Sequence, residues 1–237
     1  MCHGKAVAAF PPPVLGEAVT DGGISAYRWP QAAADKRIAI LPDIYGCNPF
    51  YQGLAGHLAE RGAEVHLIDT FAGLGELAEM TREAAFARRH QVRDKAFLDL
   101  AQSYLGAHQI TGVIGFCLGG LYVFELARRG VDAALVGLYG FPQGLPNQDA
   151  LDAPFDYLHE ISTPFTMLLG AEDAAVGPEN IQRLQARAPD LPAMALTVYD
   201  GVGHDFLPLL DSDEPAKRAV AEDALARLDA ALLKTPS

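Results

Sequence analysis

Six short apolar segments recur along the chain, and most of them are separated by stretches with the periodicity of a helix. Each segment is apolar at nearly every position, which is typical of strands buried on both faces of a parallel sheet. Two further strand-like segments, residues 17–20 and 24–29, flank Asp21-Gly22-Gly23 and predict an N-terminal antiparallel hairpin. The pattern predicts an α/β protein with a mostly parallel eight-stranded sheet, flanked by helices on both faces. The apolar strands are expected at residues 37–41, 65–68, 110–114, 133–139, 165–169 and 193–199.

The composition limits what such a protein can do. At 237 residues, half of them hydrophobic, the chain is long enough for one sizeable core, so we expect a single domain over residues 1–237. A formal net charge of -12 argues against nucleic acid and anionic membranes as partners. We expect neither a signal peptide nor a membrane span, because the chain does not open on a charged and then apolar segment and has no apolar run of the ~20 residues that a span requires. Three scattered cysteines fit a reducing cytoplasm, and the seven histidines lack metal-ligand spacing, so neither a metal nor another cofactor is expected.

One hexapeptide, residues 115–120, lies between a predicted strand and a predicted helix. It reads Gly-Phe-Cys-Leu-Gly-Gly, and its glycines allow a tight turn and a close approach of helix and strand. A side chain at the tip of such a turn points out of the core. This favours Cys117 as a nucleophile in the G-x-S-x-G arrangement, with sulfur in place of oxygen. Two other interpretations stay open at this point: a buried packing cysteine, and a glycine-rich turn that cradles phosphate.

Four residues with catalytic potential follow directly after predicted strands, namely Asp43, Cys117, Asp173 and His204. The carboxyl ends of parallel strands meet at one edge of a sheet, where ligands bind. The chain order nucleophile, acid, histidine is that of α/β-hydrolase triads, in which a base activates the nucleophile and an acid fixes the imidazole tautomer. Simpler interpretations stay open for three of them, because Asp43 and Asp173 can cap local turns and His204 can be a solvated loop residue.

These residues carry a resemblance to the dienelactone hydrolase family. The resemblance runs over nearly the whole chain, and the matching stretches are residues 41–46 with Asn48, 115–120, 170–173 and 203–206. The resemblance implies an α/β-hydrolase fold and a triad with Cys117 as nucleophile, His204 as base and Asp173 as orienting acid. It also implies that the oxyanion is bound by the backbone N–H groups of Ile44 and Leu118.

The residue expected to control the thiol departs from the family pattern. The family usually places a glutamate beside the nucleophile, whereas this chain has Asp43, which is one methylene shorter. A carboxylate in contact with the thiol disfavours a second negative charge, so it would keep Cys117 neutral at rest and release it when substrate displaces the carboxylate. Asp43 is therefore expected to be the thiol-controlling acid.

The residues expected to contact substrate depart from the pattern as well. Well-studied family members hold a substrate carboxylate with arginines, one of them shortly after the histidine, whereas the stretch that begins here at Phe206 is apolar. We therefore expect a more neutral acyl substrate, contacted by Phe206 and Tyr45. Arg82 is the expected cation, with Arg88 and Arg89 as alternatives.

The sequence thus predicts a carboxylic ester hydrolase similar to the carboxymethylenebutenolidases. A thiolate is both a good nucleophile and a good leaving group, so lactones or enol-type esters, which release a stabilised oxygen, are the expected small-molecule substrates. The enzyme is expected to work through a thioester acyl-enzyme, as a monomer or small homo-oligomer. Two alternatives are that Cys117 is a redox-sensing thiol, or that the protein binds a small molecule without catalysis.

Overall fold

One sheet organises the fold. The computed structural model describes Phe10 and residues 15–233, and the remaining residues of the predicted domain lie outside that description. The strands in the described part of the chain are β1 (Glu17–Asp21), β2 (Ile24–Trp29), β3 (Arg37–Leu41), β4 (Glu64–Ile68), β5 (Gly112–Phe116), β6 (Ala134–Leu138), β7 (Phe165–Gly170) and β8 (Met194–Tyr199). All eight belong to one sheet in the order β1-β2-β4-β3-β5-β6-β7-β8. Strand β2 is antiparallel to β1 and β4, and the other neighbours are parallel, which confirms the predicted sheet.

Helices cover both faces of this sheet. Alternate residues of a strand point to opposite faces. In β3, Ala39 and Leu41 pack into the core that contains residues of α3 (Asp94–Ala107) and α4 (Leu118–Arg128). Ile38 and Ile40 pack into the core that contains residues of α1 (Pro49–Ala59) and α7 (Pro215–Leu232). The helices of the described residues are α1 (Pro49–Ala59), α2 (Arg82–Arg89), α3 (Asp94–Ala107), α4 (Leu118–Arg128), α5 (Pro154–Tyr157), α6 (Pro178–Arg187) and α7 (Pro215–Leu232).

Strand β5 begins at Gly112 rather than at Ile110, where the apolar pattern begins. Ile110 is buried, but its backbone N–H donates to the carbonyl of Leu105 at 2.9 Å and closes the end of α3. Gln109, just before it, has a φ of 51°, the left-handed conformation in which many helices end. An apolar side chain indicates that a residue is buried, but not which backbone groups it pairs with. The apolar pattern therefore assigns Ile110 to the strand, although its backbone belongs to the end of α3.

Close backbone packing fixes the start of α4. An ideal Cβ on Gly119 would collide with the carbonyl oxygen of Leu41, and one on Gly115 would collide with the carbonyl oxygen of Gly119. Both positions need glycine because backbone meets backbone there. The predicted close approach of helix and strand is therefore confirmed, and it holds the turn between β5 and α4 against β3.

Candidate active site

Cys117 occupies the turn between β5 and α4. Its backbone has φ 54° and ψ -104°, a sparsely populated conformation of the kind that costs about 1–3 kcal/mol. Its N–H donates to the carbonyl of Leu138 at 2.9 Å, and its carbonyl accepts from the N–H of Leu121 at 3.0 Å. Hydrogen bonds to β6 and α4 therefore hold this strained turn in place. Cys117 is 3% exposed and lines a cavity.

His204 and Asp173 are in hydrogen-bond contact. Asp173 follows β7, and His204 lies in the loop after β8. The distance from His204 Nδ1 to Asp173 Oδ2 is 2.7 Å, and because a carboxylate is an acceptor, Nδ1 carries the hydrogen. The other carboxylate oxygen of Asp173 accepts from the N–H groups of Ala175 and Val176, each at 2.9 Å. Asp173 thus caps its own turn and also orients the imidazole.

Aromatic rings surround the imidazole of His204. The ring centroids of Tyr139 and Phe141 lie 5.3 Å and 5.5 Å from it. The hydroxyl of Tyr139 also accepts from the N–H of Leu207 at 3.1 Å, which ties the loop after His204 to β6. Asp173 is fully buried and His204 is 8% exposed, so the contact between them is shielded from solvent.

Cys117 and His204 line the same cavity, which has a volume of about 330 Å³. This lies at the small end of the range for small-molecule sites. Three further residues of the wall are ones that the sequence predicted, namely Ile44, Tyr45 and Arg82. The sequence missed the rest, because they come from loops and from a segment without a clear periodic pattern. The missed residues are Phe86, Phe141, Leu145, Glu172, Ala174, Ala175 and Asp205.

A tight turn after β3 carries Ile44. The carboxylate Oδ1 of Asp43 accepts from the N–H of Tyr45 at 2.8 Å. The carbonyl of Asp43 accepts from the N–H of Gly46 at 3.1 Å, and Gly46 has a φ of 76°. The fully buried Asp43 therefore closes this turn, in agreement with the simpler sequence interpretation. Leu118 is the first residue of α4, so its N–H lies at the positive end of that helix.

Phe206 lies in the core and not at the cavity wall. It is 1% exposed, and its ring packs against Tyr139 and Tyr199, with centroids 4.9 Å and 5.2 Å away. The chain after His204 continues into the 3₁₀ turn Leu207–Asp211, which packs on α7. The structure therefore corrects the expectation that Phe206 contacts substrate, because this apolar stretch fills the core on the α7 side.

The three arginines that the sequence proposed as substrate cations have different surroundings. Arg82 lines the cavity, with its guanidinium 5.3 Å from the ring centroid of Phe86. Arg89 is 1% exposed and donates to the carboxylate of Asp94 at 2.7 Å. Arg88 lines a second cavity and donates to backbone carbonyls. The structure thus favours Arg82 as the cation of the first cavity.

The second cavity has a volume of about 430 Å³ and shares Tyr45 with the first. Cys47 lies on it, and its thiol donates to the carbonyl of Ile68 at 3.5 Å. Burial raises the pKa of the Cys47 thiol, which disfavours the nucleophilic thiolate.

Among residues that the structure describes, no three His, Cys, Asp or Glu side chains are grouped so that they could hold a metal ion. Within residues 15–233, no helix combines the length and apolar character needed to cross a bilayer.

Comparison with known proteins identifies the family. The sequence profile of the dienelactone hydrolase family matches residues 24–235. The chain belongs to the dienelactone hydrolase family. It is 49% identical to carboxymethylenebutenolidase 2 of Cupriavidus pinatubonensis, over 95% of this chain and 96% of that protein. It is 30% identical to a carboxymethylenebutenolidase of Rhodococcus opacus, over 96% of this chain and 94% of that protein.

Solved structures of the family share the fold. The crystal structure of dienelactone hydrolase from Anabaena variabilis superposes with a TM-score of 0.61 at 19% identity, over 93% of this chain and 99% of that one. The predicted family and the predicted α/β-hydrolase fold are therefore confirmed. Membership of this family also confirms the predicted enzyme class, a carboxylic ester hydrolase.

Proposed function

We propose that this enzyme hydrolyses lactones or enol-type esters through Cys117, His204 and Asp173, with a thioester acyl-enzyme as intermediate. One observation carries the proposal. The imidazole that Asp173 orients at 2.7 Å lines the same small cavity as a cysteine on a strained strand-to-helix turn. A nucleophile, a base and a group that orients the base are the parts that acyl transfer requires.

The first half of the reaction makes the thioester. His204 Nε2 takes the proton of the Cys117 thiol, and the thiolate attacks the carbonyl carbon to form a C–S bond. The N–H groups of Ile44 and Leu118 bind the resulting oxyanion. The ester C–O bond then breaks, and His204 returns the proton to the departing oxygen.

The second half releases the acid. His204 takes a proton from water, the hydroxide attacks the thioester, and the C–S bond breaks. The acid product leaves, and the proton held by His204 returns to the sulfur of Cys117. Throughout, the carboxylate of Asp173 stabilises the positive charge that His204 acquires in each half.

The chemistry of sulfur supports the substrate class. A tetrahedral intermediate formed from a thiolate expels sulfur again unless the competing oxygen is a good leaving group. Enol esters and unsaturated lactones release a stabilised enolate, so they favour the forward direction. The 49%-identical relative is named a carboxymethylenebutenolidase, and we extend a substrate of that kind, a small unsaturated lactone, to this chain.

Three neighbouring residues complete the proposed site. Asp43 is the proposed control on the proton of Cys117: it is fully buried next to Ile44, which lines the same cavity as Cys117, and a carboxylate near a thiol opposes its ionisation. Tyr45 and Arg82 contact the substrate, since both line the cavity. Arg82 supplies a cation for a substrate that carries a carboxylate.

We also infer the setting in which the enzyme works. Residues 1–237 form one domain. This is supported by the sheet, because all strands in the described part of the chain belong to it. The protein acts in the cytoplasm as a monomer or small homo-oligomer. The two cysteines that the structure describes, Cys47 and Cys117, are thiols and not disulfides, as a reducing compartment requires.

Replacement of the nucleophile tests the function. Cys117→Ala abolishes turnover of an enol lactone, whereas the matched variant Cys47→Ala retains it. Mass spectrometry with a slow ester detects an acyl adduct on Cys117 of the native enzyme. Turnover by Cys117→Ala at the native rate contradicts the proposal. Reversible oxidation of Cys117 by mild peroxide, without ester turnover or an acyl adduct, identifies the redox alternative instead.

A further inference from the structure

The guanidinium of Arg88 connects three parts of the chain beside the active site. Its Nη2 donates to the carbonyl of Ile44 at 3.3 Å, and its Nη1 donates to the carbonyl of Gly75 at 3.2 Å. The centre of the guanidinium lies 4.2 Å from the ring centroid of Phe71. Two carbonyls and one aromatic face thus fix the position of a side chain that the proposed mechanism does not use.

The turn that Arg88 contacts is the one that carries the proposed oxyanion donor. Asp43 holds this turn from within, through the N–H groups of Tyr45 and Gly46. On its outer side, an ideal Cβ at Gly46 would lie 3.3 Å from the ring of Phe71 and 3.4 Å from Nη2 of Arg88. The turn is therefore packed between an internal carboxylate and an external guanidinium.

We infer that Arg88 is a positioning residue, which holds the carbonyl of Ile44 and thereby fixes the direction of the Ile44 N–H toward the oxyanion. The inference rests on the proposed function, because it takes this N–H as an oxyanion donor. A donor stabilises a transition state most when its direction is set before the reaction begins. The carbonyl of Ile44 shares a peptide plane with the N–H of Tyr45. The N–H of Ile44 shares one with the carbonyl of Asp43, which accepts from the N–H of Gly46 at 3.1 Å. With that second plane held by Gly46 and the first held by Arg88, the two backbone torsions at Ile44, which set the direction of its N–H within the turn, are restricted from both sides.

An alternative role for Arg88 is to bind a substrate carboxylate directly. Two observations favour the positioning role. Arg88 lines the second cavity, whereas Cys117 lines the first, and Tyr45 is part of the wall of both. Both terminal nitrogens of Arg88 donate to backbone carbonyls, and these two bonds orient the guanidinium toward the turn at Ile44.

The test compares Arg88→Met with Arg187→Met. Methionine keeps the unbranched apolar part of the side chain, but it lacks the guanidinium and therefore has no donors and no charge. Arg187 is the matched control, because it also donates to a backbone carbonyl, that of Phe155 at 2.7 Å, and lies 5.9 Å from that residue's ring centroid. Loss of one oxyanion donor lowers kcat by roughly 10²- to 10³-fold, so a misdirected donor is expected to lower it roughly 10- to 100-fold.

The expected result has three parts. Arg88→Met lowers kcat for a neutral enol ester and for a carboxylate-bearing enol lactone to the same extent, with little change in KM. The affinity for a trifluoromethyl ketone, whose adduct with the thiolate carries an oxyanion, falls in parallel with kcat. Arg187→Met changes neither quantity. Arg88→Lys, which keeps the charge and can reach one carbonyl, falls between the native enzyme and Arg88→Met.

Other results overturn the inference. A rise in KM confined to the carboxylate-bearing substrate assigns Arg88 to substrate binding. Native kcat in both Arg88→Met and Arg88→Lys removes any role in the oxyanion site. If Arg88→Met does not fold, as judged by its thermal transition, kcat of Arg88→Lys is compared with that of the native enzyme, and a native value overturns the inference. Failure of the proposed function is a separate outcome, since it is seen as full activity of Cys117→Ala on the same two substrates.

Discussion

The hydroxyl of Tyr139 accepts a hydrogen bond from the backbone N–H of Leu207 at 3.1 Å, while its ring lies 5.3 Å from the imidazole of His204. Tyr139 itself has a φ of 50°, an uncommon conformation for a residue other than glycine. A residue at the end of β6 therefore anchors the loop that delivers the proposed base from the end of β8.

Tyr139→Phe tests this anchor. The variant leaves the buried N–H of Leu207 without its acceptor, so we expect a loss of about 1–3 kcal/mol in the free energy of unfolding. We also expect a lower kcat with an unchanged KM, because the His204 loop gains freedom. Urea unfolding and steady-state kinetics measure the two effects. Native stability together with native kcat would contradict the anchoring role.

A buried charge pair gives a second prediction. Asp94 is fully buried and accepts from Arg89 and from the hydroxyl of Tyr122, both at 2.7 Å. Asp94→Ala leaves the guanidinium of Arg89 buried without its counter-ion, so we expect a loss of about 3–5 kcal/mol in the free energy of unfolding.

A surface ion pair serves as its control. Arg128 donates to the exposed carboxylate of Asp152 at 2.9 Å, and Asp152→Ala is expected to lower the free energy of unfolding by about 1 kcal/mol or less. Chemical denaturation measures both variants. Equal losses in the two would show that burial of Asp94 does not determine the effect.

The third prediction concerns pH. Burial lowers the pKa of His66, which accepts a hydrogen bond from Tyr104 at Nδ1 and donates one to Glu64 at Nε2. Burial also raises the pKa of Tyr104 to about 12, so its hydroxyl stays a donor. For Glu64, burial acts to raise the pKa, but the hydrogen bond from His66 and the charge of Arg28 outweigh it, and the pKa is lowered.

The lowered pKa values of His66 and Glu64 change the free energy of unfolding in the same direction as the pH falls. The unfolded chain binds a proton at His66 below about pH 6.5 and at Glu64 below about pH 4.5, whereas the folded protein binds them only at lower pH. The free energy of unfolding is therefore expected to fall as the pH falls below about 6.5, and to fall further below about 4.5. Urea titrations between pH 8 and pH 4 measure it. Glu64→Gln reduces the loss at the acidic end, and a native protein whose stability rises toward pH 5 would contradict this account.

Arg82 gives the fourth prediction, on substrate charge. An exposed charge pair contributes about 1 kcal/mol or less, so Arg82→Gln is expected to raise KM for a carboxylate-bearing lactone by up to about five-fold. KM for a neutral enol ester stays unchanged. Arg183→Gln is the control, since the guanidinium of Arg183 also faces an aromatic ring, that of Phe155, with the centroid 4.0 Å away, compared with 5.3 Å between Arg82 and Phe86. An equal change in KM for both substrates would show that Arg82 does not recognise the charge of the substrate.

The fifth prediction concerns glycine in helix α4. Gly119→Ala places a methyl group against the carbonyl oxygen of Leu41, so we expect a loss of about 2 kcal/mol or more in the free energy of unfolding and a displaced Cys117 turn. Gly56→Ala is the control, because nothing lies within 4 Å of an ideal Cβ in that part of α1. That variant is expected to be about 0.5–1 kcal/mol more stable. Thermal unfolding of both, with activity assays, distinguishes the two sites.

Sequence reasoning succeeded where the signal was local. The apolar runs located the strands, and Asp173 and His204 were predicted to lie close together because each is in the loop that follows a strand. The order of strands in the sequence predicts that both residues lie at one edge of the sheet, where the structure has His204 Nδ1 2.7 Å from Asp173 Oδ2. Asp43 shows the limit of such reasoning, since the same position after β3 fits both a turn cap and a thiol-controlling acid.

The direction of side chains in irregular segments was decided by the tertiary structure. Phe206 and Phe141 are both aromatic and both lie in loops, yet Phe206 fills the core while Phe141 lines the cavity. Likewise Arg82 reaches the cavity, whereas Arg88 contacts the turn at Ile44. The sequence by itself determined the order of the strands and, to within a few residues, where they end, because the apolar pattern of a strand is a local property. Only the tertiary structure decided which loop side chains form the cavity, because that depends on packing between segments far apart in the chain.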